Sequence, residues 1–182
     1  MKRILIIGSA GAGKTTLACY LSRQFVLPLI HLDQKFWHPG WVAPSAESWQ
    51  QQIAQVIAQP AWIIDGYYRN TLDITYRAAD TIIFLDISHL ICIYRICMRY
   101  LTHKLLHRVR SDLPEGCPER LRWSFLSWVW TFPQKQRPII LNTIQEAEER
   151  QHVIIIHNQT ELVQLCHWVR DYQRVPSSTS GR

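Results

Sequence analysis

The chain has 182 residues, 47% of them apolar and 19% charged, with a formal net charge of +6 at neutral pH. That length suits one domain with a proper core and is short for two. No uncharged apolar run approaches the ~18–20 residues that cross a bilayer, which excludes a helical membrane protein. The first residues enter a strand pattern with no apolar leader, so a cytoplasmic protein is expected.

In chain order, the first element is the apolar run Arg3–Ile7, which reads as a strand buried on both faces of a parallel sheet. It leads directly into Gly8-Ser9-Ala10-Gly11-Ala12-Gly13-Lys14-Thr15, a full match to G-x-x-x-x-G-K-[ST]. Each fixed position answers a need of a nucleoside triphosphate. The glycines let backbone N–H groups approach phosphate oxygens, Lys14 reaches the β- and γ-phosphates, and the Thr15 hydroxyl ligates Mg²⁺. Thr16 closes the loop. Leu17, Leu21 and Phe25 then fall on one face of a helix over Lys14–Phe25, whose N-terminal dipole also favours anions. A chance glycine-rich turn would not be expected in this strand–loop–helix order.

A second strand is predicted over Leu27–His31, continuing through Leu32 to Asp33. Phe36-Trp37-His38-Pro39-Gly40-Trp41 follows, and Trp37 and Trp41 have two readings: cover for a core edge, or the wall of a flat-ligand pocket. A helix over Ala46–Ala58 and a strand over Trp62–Asp65 come next, then Gly66-Tyr67-Tyr68-Arg69. In a parallel sheet Asp33 and Asp65 emerge on the edge that holds the phosphate loop. Phosphoryl transfer needs one carboxylate near Mg²⁺ and another that orients or deprotonates the attacking hydroxyl. Asp65 is assigned the metal side through coordinated water. Asp33 is the candidate base or acceptor ligand, and a helix-capping role stays open for either acid. Gly66, Tyr67 and Arg69 complete the predicted acceptor site, with Arg69 placed to grip an acceptor phosphate. Asp86, at the end of a strand over Thr81–Asp86, reads as a helix cap.

The predicted helix His89–Leu106 carries Arg95 and Arg99 on one face, with Ile93, Tyr94, Cys97, Met98 and Leu101 as its packed side. A polar segment rich in breakers follows through Arg120. From Arg95 to Arg122 seven Lys/Arg face only Asp112, Glu115 and Glu119. Such a cluster suits a polyanion. The stretch reads as a closing lid over about residues 104–120, and Arg95 and Arg99 of the helix together with Arg110 of the lid bring charge to the transferring phosphoryl group. The cluster keeps nucleic acid open as a partner, but without a helix-turn-helix or zinc-finger pattern none is expected. His103, His107 and Cys117 outline a conceivable metal site, with wider spacing than zinc ligands usually show. The five cysteines contain no C-x-x-C pair. A helix over Pro138–Glu149, a strand over His152–Ile156, His157-Asn158-Gln159 and a helix over Thr160–Tyr172 complete the pattern. Asn158 is expected near the adenine, and residues 175–182 form a polar, disordered tail. Five strands with helices between them predict a three-layer α/β/α sandwich with a parallel sheet.

These residues resemble those of the small P-loop kinases, Asp65-Gly66-Tyr67-Tyr68-Arg69 looking like a variant of the adenylate-kinase D-G-F-P-R motif. The chain is more closely similar to the DNA topology modulation (FlaR-like) proteins, an adenylate-kinase-related group. The matching stretches are the phosphate loop, His31-Leu32-Asp33 with Trp37 and Pro39-Gly40-Trp41, Trp62 to Gly66, Leu72-Asp73-Ile74, Ala79 to Asp86, Glu115 to Arg120, and Arg137-Pro138. The resemblance runs from about residue 2 to residue 170. It implies a P-loop NTPase fold of the nucleotide-kinase type in a single domain over 1–174, ATP·Mg²⁺ binding and kinase chemistry, without supplying a substrate. The expected protein is an ATP-dependent kinase acting on a small acceptor, a nucleoside or nucleotide being favoured, as a monomer or homodimer and away from membranes. The rival is a regulatory ATP-binding protein acting on DNA or a partner with weak or no transfer activity.

Overall fold

The computed structural model describes residues 1–106, 114–118, 121–147 and 150–174. Five strands, β1 (Arg3–Gly8), β2 (Leu29–His31), β3 (Trp62–Asp65), β4 (Thr81–Leu85) and β5 (His152–Ile156), form one parallel sheet in the order β2-β3-β1-β4-β5. The helices are α1 (Lys14–Phe25), α2 (Leu32–Phe36), α3 (Ala46–Ile57), α4 (Leu72–Ala78), α5 (His89–Leu106), α6 (Trp123–Trp130), α7 (Phe132–Lys135), α8 (Arg137–Ala147) and α9 (Gln159–Arg174). The three-layer sandwich and its parallel sheet are as the sequence predicts.

Strand β1 runs through the centre, and its side chains alternate between two cores. Leu5 and Ile7 join Trp49 and Ile53 of α3, Tyr76 of α4 and Ile140 of α8. Ile4 and Ile6 join Leu17 and Leu21 of α1, Cys92 and Ile96 of α5, Val129 of α6 and Val169 of α9. Both faces being covered explains why β1 reads as an unbroken apolar run. Each of these buried side chains contributes about 1.5–3 kcal/mol, so a charge at Ile6 would break the layer that carries the phosphate loop. In register, Ile6 lies opposite Asp65 of β3 and Gly8 opposite Leu85 of β4. The carboxyl edge therefore presents, from β2 to β5, His31, Asp65, the loop after Gly8, Asp86 and His157.

Several local expectations need correcting. Strand β2 ends at His31, and Asp33 sits in the first turn of the short α2 instead of extending the strand. The segment Trp123–Trp130, for which no element is predicted, is helix α6. Asp86 does not cap α5: both its carboxylate oxygens accept from the Arg137 Nε, at 2.9 and 3.0 Å. On α5 the buried residues are Cys92 and Ile96, while Tyr94, Met98 and Leu101, expected to pack, are exposed. An apolar stripe marks a face, not which face the core claims. Arg110, most of the predicted lid and the tail at 175–182 lie outside the described residues, as does His107 of the conceivable metal site. Among the described residues no helix is long and apolar enough to cross a membrane.

Candidate active site

The phosphate loop leaves the centre of the sheet and enters α1. Gly11 has φ +79°, and a Cβ there would lie 2.5 Å from the Cys92 carbonyl oxygen, so only glycine lets the loop press against the first turn of α5. Gly13, at φ 103°, caps α1 without a side-chain bond. The N–H groups of the first helical turn have no intrahelical acceptor and face the loop opening, as an anion site requires. Lys14 folds back across the loop, its Nζ donating to the Ser9 carbonyl at 3.0 Å. Ser9 Oγ is buried with no partner among the described residues. Arg95 of α5 donates through Nη1 to the Ala12 carbonyl (3.3 Å) and through Nη2 to Gln159 Oε1 (3.2 Å), tying α5 and the start of α9 to the loop. Arg99 follows one turn later on α5 and is half-buried.

Asp65 lies at the end of β3 and is 6% exposed. Its Oδ2 accepts from the Thr15 hydroxyl at 2.7 Å and faces His31 Nδ1 at 2.9 Å. A hydroxyl and a carboxylate in contact at the head of a phosphate-binding helix are hard oxygen donors that fit Mg²⁺, which takes one or two protein ligands beside water and phosphate. No cluster of three or more His, Cys, Asp or Glu fit for a metal occurs among the described residues.

Across the edge, Asp33 Oδ1 accepts from the Tyr68 hydroxyl at 2.7 Å. Tyr68 is held by stacking on Phe36, centroids 4.0 Å apart, and by an edge contact with Trp49. Burial pushes the Tyr68 phenol well above its usual range, and the Asp33 charge adds to this, so Tyr68 stays a donor. Tyr67 is also pushed up by burial, against the opposing charge of nearby Arg69, and donates to Gln136 Oε1 at 3.3 Å. Arg69 itself is exposed in the 3₁₀ turn Arg69–Thr71, and Gly66 links Asp65 to the two tyrosines.

Trp37 and Trp41 meet edge to face at 5.6 Å, both half-buried. The segment 114–118 docks on their loop. Gly40 N–H donates to the Gly116 carbonyl (3.0 Å), Trp41 Nε1 to the Pro118 carbonyl (3.1 Å), and Cys117 Sγ to the His38 carbonyl (3.2 Å). This described part of the predicted lid is therefore anchored on the loop that carries Trp37 and Trp41. A cleft of about 350 Å³ opens farther along the edge, with the Asp86–Arg137 pair in its wall and His157 Nδ1 3.4 Å from Asp86.

Shikimate kinase from Acinetobacter baumannii, solved with shikimate, superposes with a TM-score of 0.57 at 13% identity, over 98% of this chain and 96% of its own. Shikimate kinase from Bacteroides thetaiotaomicron gives 0.52 at 16% identity, over 96% and 99%. A sugar kinase from Janibacter gives 0.51 at 13%, over 100% and 99%. The chain has the small P-loop kinase fold. No protein-family model and no curated protein matches it, so the likeness to DNA topology modulation proteins rests on sequence motifs alone.

Within that kinase fold, Gly8 to Thr16, Asp65 and Arg95 come together around one loop, and Asp33, Gly66, Tyr67, Trp37 and Trp41 line the neighbouring edge. Asn158 stands at the start of α9. Its Oδ1 accepts from the Glu161 N–H (3.0 Å) and its Nδ2 donates to Glu161 Oε1 (2.7 Å), capping α9. Sequence reasoning missed His31, although its place two residues before Asp33 at a strand end was a usable signal. It also missed Tyr68 as the partner of Asp33. The Asp86–Arg137 pair, 51 residues apart in the chain, left no local signal.

Proposed function

We propose that this protein is an ATP-dependent kinase that transfers the γ-phosphoryl group to a hydroxyl or phosphate of a small acceptor, with nucleosides and nucleotides as the favoured class. The observation that carries this reading is the contact between Thr15, at the head of the phosphate-binding helix, and the buried Asp65. It joins the loop to the strand end beside which Asp33 and Tyr68 stand. Lys14 and the first-turn N–H groups of α1 bind the triphosphate, and Arg95 adds positive charge from the α5 side. Thr15 and Asp65 would hold Mg²⁺, which when bound neutralises charge on the β- and γ-phosphates. His31 fixes the orientation of the Asp65 carboxylate. Asp33, held by Tyr68, takes the proton from the acceptor hydroxyl as its oxygen bonds to the γ-phosphorus and the bond to ADP breaks. The half-buried Trp37 and Trp41 offer a flat apolar wall to that acceptor.

A panel of nucleosides, nucleotides and small polyols, assayed for acceptor-dependent ADP release, tests the proposal. Release above the acceptor-free rate with one class, lost in Asp33→Asn while ATP still binds, is expected. ATP binding without acceptor-dependent ADP release, together with salt-sensitive binding to duplex DNA, would instead support a regulatory nucleotide-binding protein.

A further inference from the structure

Helix α5 carries two apolar stripes, and the monomer buries only one of them. Cys92 and Ile96 face the core, whereas Ile91, Tyr94, Met98, Leu101 and Leu105 stand on the opposite side, exposed by 42% to 75%. Their spacing is three, four, three and four residues, the pattern of positions a and d in a two-stranded coiled coil. On a helix these five fall within an arc of roughly 80°, a narrow seam and not a broad membrane-lying face. Leu90, also exposed, extends it at one edge. Single exposed apolar residues are ordinary, but a contiguous row this long on a monomer marks an interaction surface.

We infer that this seam is the dimer interface of the protein, α5 of one protomer packing against α5 of a second copy. Two features favour a second copy as the occupant. A seam with this spacing is complementary to itself, as a two-fold interface must be. Six such side chains withdraw on the order of 1,200 Å² from water across both protomers, the lower bound of a stable, specific interface. Helix α5 carries Arg95, Arg99 and Lys104 and no Asp or Glu, but none of the three falls within that arc, so pairing of the seam buries no charge. The arrangement has a consequence for the site, because the Arg95 that bonds the Ala12 carbonyl of the phosphate loop lies on the same helix. Pairing of α5 would fix the helix that carries this arginine.

Sedimentation analysis of the full chain between about 1 and 100 μM tests the inference. The wild type should be a dimer. Tyr94→Glu and Leu101→Glu should each weaken association by at least about 30-fold, as loss of a central anchor does, with unchanged circular dichroism. Val163→Glu, on exposed α9 surface, should leave the dimer intact. Met98 lies at the midpoint of the seam, so Met98→Cys should form disulfide-linked dimers under mild oxidation where Val163→Cys does not; this readout holds even if a glutamate variant fails to fold. A wild-type monomer at 100 μM would overturn the inference. So would a dimer that survives both glutamates, or a monomer that uses the seam to bind vesicles containing phosphatidylserine.

Discussion

Replacing Asp65 by Asn removes one charge from a site where the carboxylate is almost fully buried and holds two partners. The Thr15 hydroxyl donates to its Oδ2 at 2.7 Å, and His31 Nδ1 faces the same oxygen at 2.9 Å. A hydrogen bond to a charged group contributes about 1.5–3 kcal/mol and a neutral one about 1 kcal/mol. Because both partners meet one oxygen, the amide offers them either a neutral acceptor in place of the charged one or an N–H₂ that accepts from neither. A loss of about 1–2 kcal/mol is therefore expected, which for a chain of this size lowers Tm by roughly 2–8 °C. Calorimetry without nucleotide measures that part. With ATP, the half-saturating Mg²⁺ concentration should rise by about 10-fold, on the order of one lost charged contact. Thr15→Ser retains the hydroxyl and should stay near wild type in both readouts. An Asp65→Asn protein with unchanged Tm and unchanged Mg²⁺ dependence would refute the reasoning.

Tyr68→Phe keeps the ring stacked on Phe36 and deletes only the hydroxyl bound to Asp33. Because Asp33 is exposed and water can replace the donor, acceptor kcat/KM should fall only about 3–10-fold with the KM for ATP unchanged; steady-state kinetics with both substrates varied checks this split. Asp33→Asn should cost more, about 10²–10⁴-fold in turnover, while calorimetric ATP affinity stays at the wild-type value. Asp80 accepts from the backbone N–H groups of Lys2 and Arg3 and from the Thr81 hydroxyl. Burial pushes its carboxyl up, but these bonds outweigh burial and hold it below its ordinary value. A lowered folded value means stabilisation that is complete above the unfolded value of about 4 and is lost as pH falls through the folded one. The stability gap between wild type and Asp80→Ala in urea should thus be constant above about pH 5 and close in stronger acid; a gap that widens on acidification would contradict it.

The strands and the phosphate loop were legible because their signals are local. A run such as Ile4-Leu5-Ile6-Ile7 can be buried on both faces only in a covered parallel sheet, and Gly11 and Gly13 occupy conformations that other residues resist. The same was true of α1, whose predicted and observed limits agree. Short elements without a full apolar period, such as α2 and α4, were missed. Asp33 was consequently read as a strand end, although it does lie at the sheet edge that carries the phosphate loop. For α5, both stripes are apolar, so periodicity alone assigned the core to the wrong one. The pairs that shape the site, His31 with Asp65, Tyr68 with Asp33 and Arg137 with Asp86, join residues 34 to 51 positions apart. Only the sheet order brings them together, and that order is not written in any local pattern.

The central claim is that the loop from Gly8 to Thr15 binds the phosphates of ATP. Equilibrium titration of ATP·Mg²⁺ into wild type and Lys14→Ala tests it most directly. Lys14 serves charge and not packing, its Nζ reaching only the Ser9 carbonyl of the loop. The variant should therefore keep its circular dichroism while affinity falls by about 10–150-fold, the range for one charged hydrogen bond. A folded Lys14→Ala protein that binds ATP·Mg²⁺ as tightly as wild type would contradict the account.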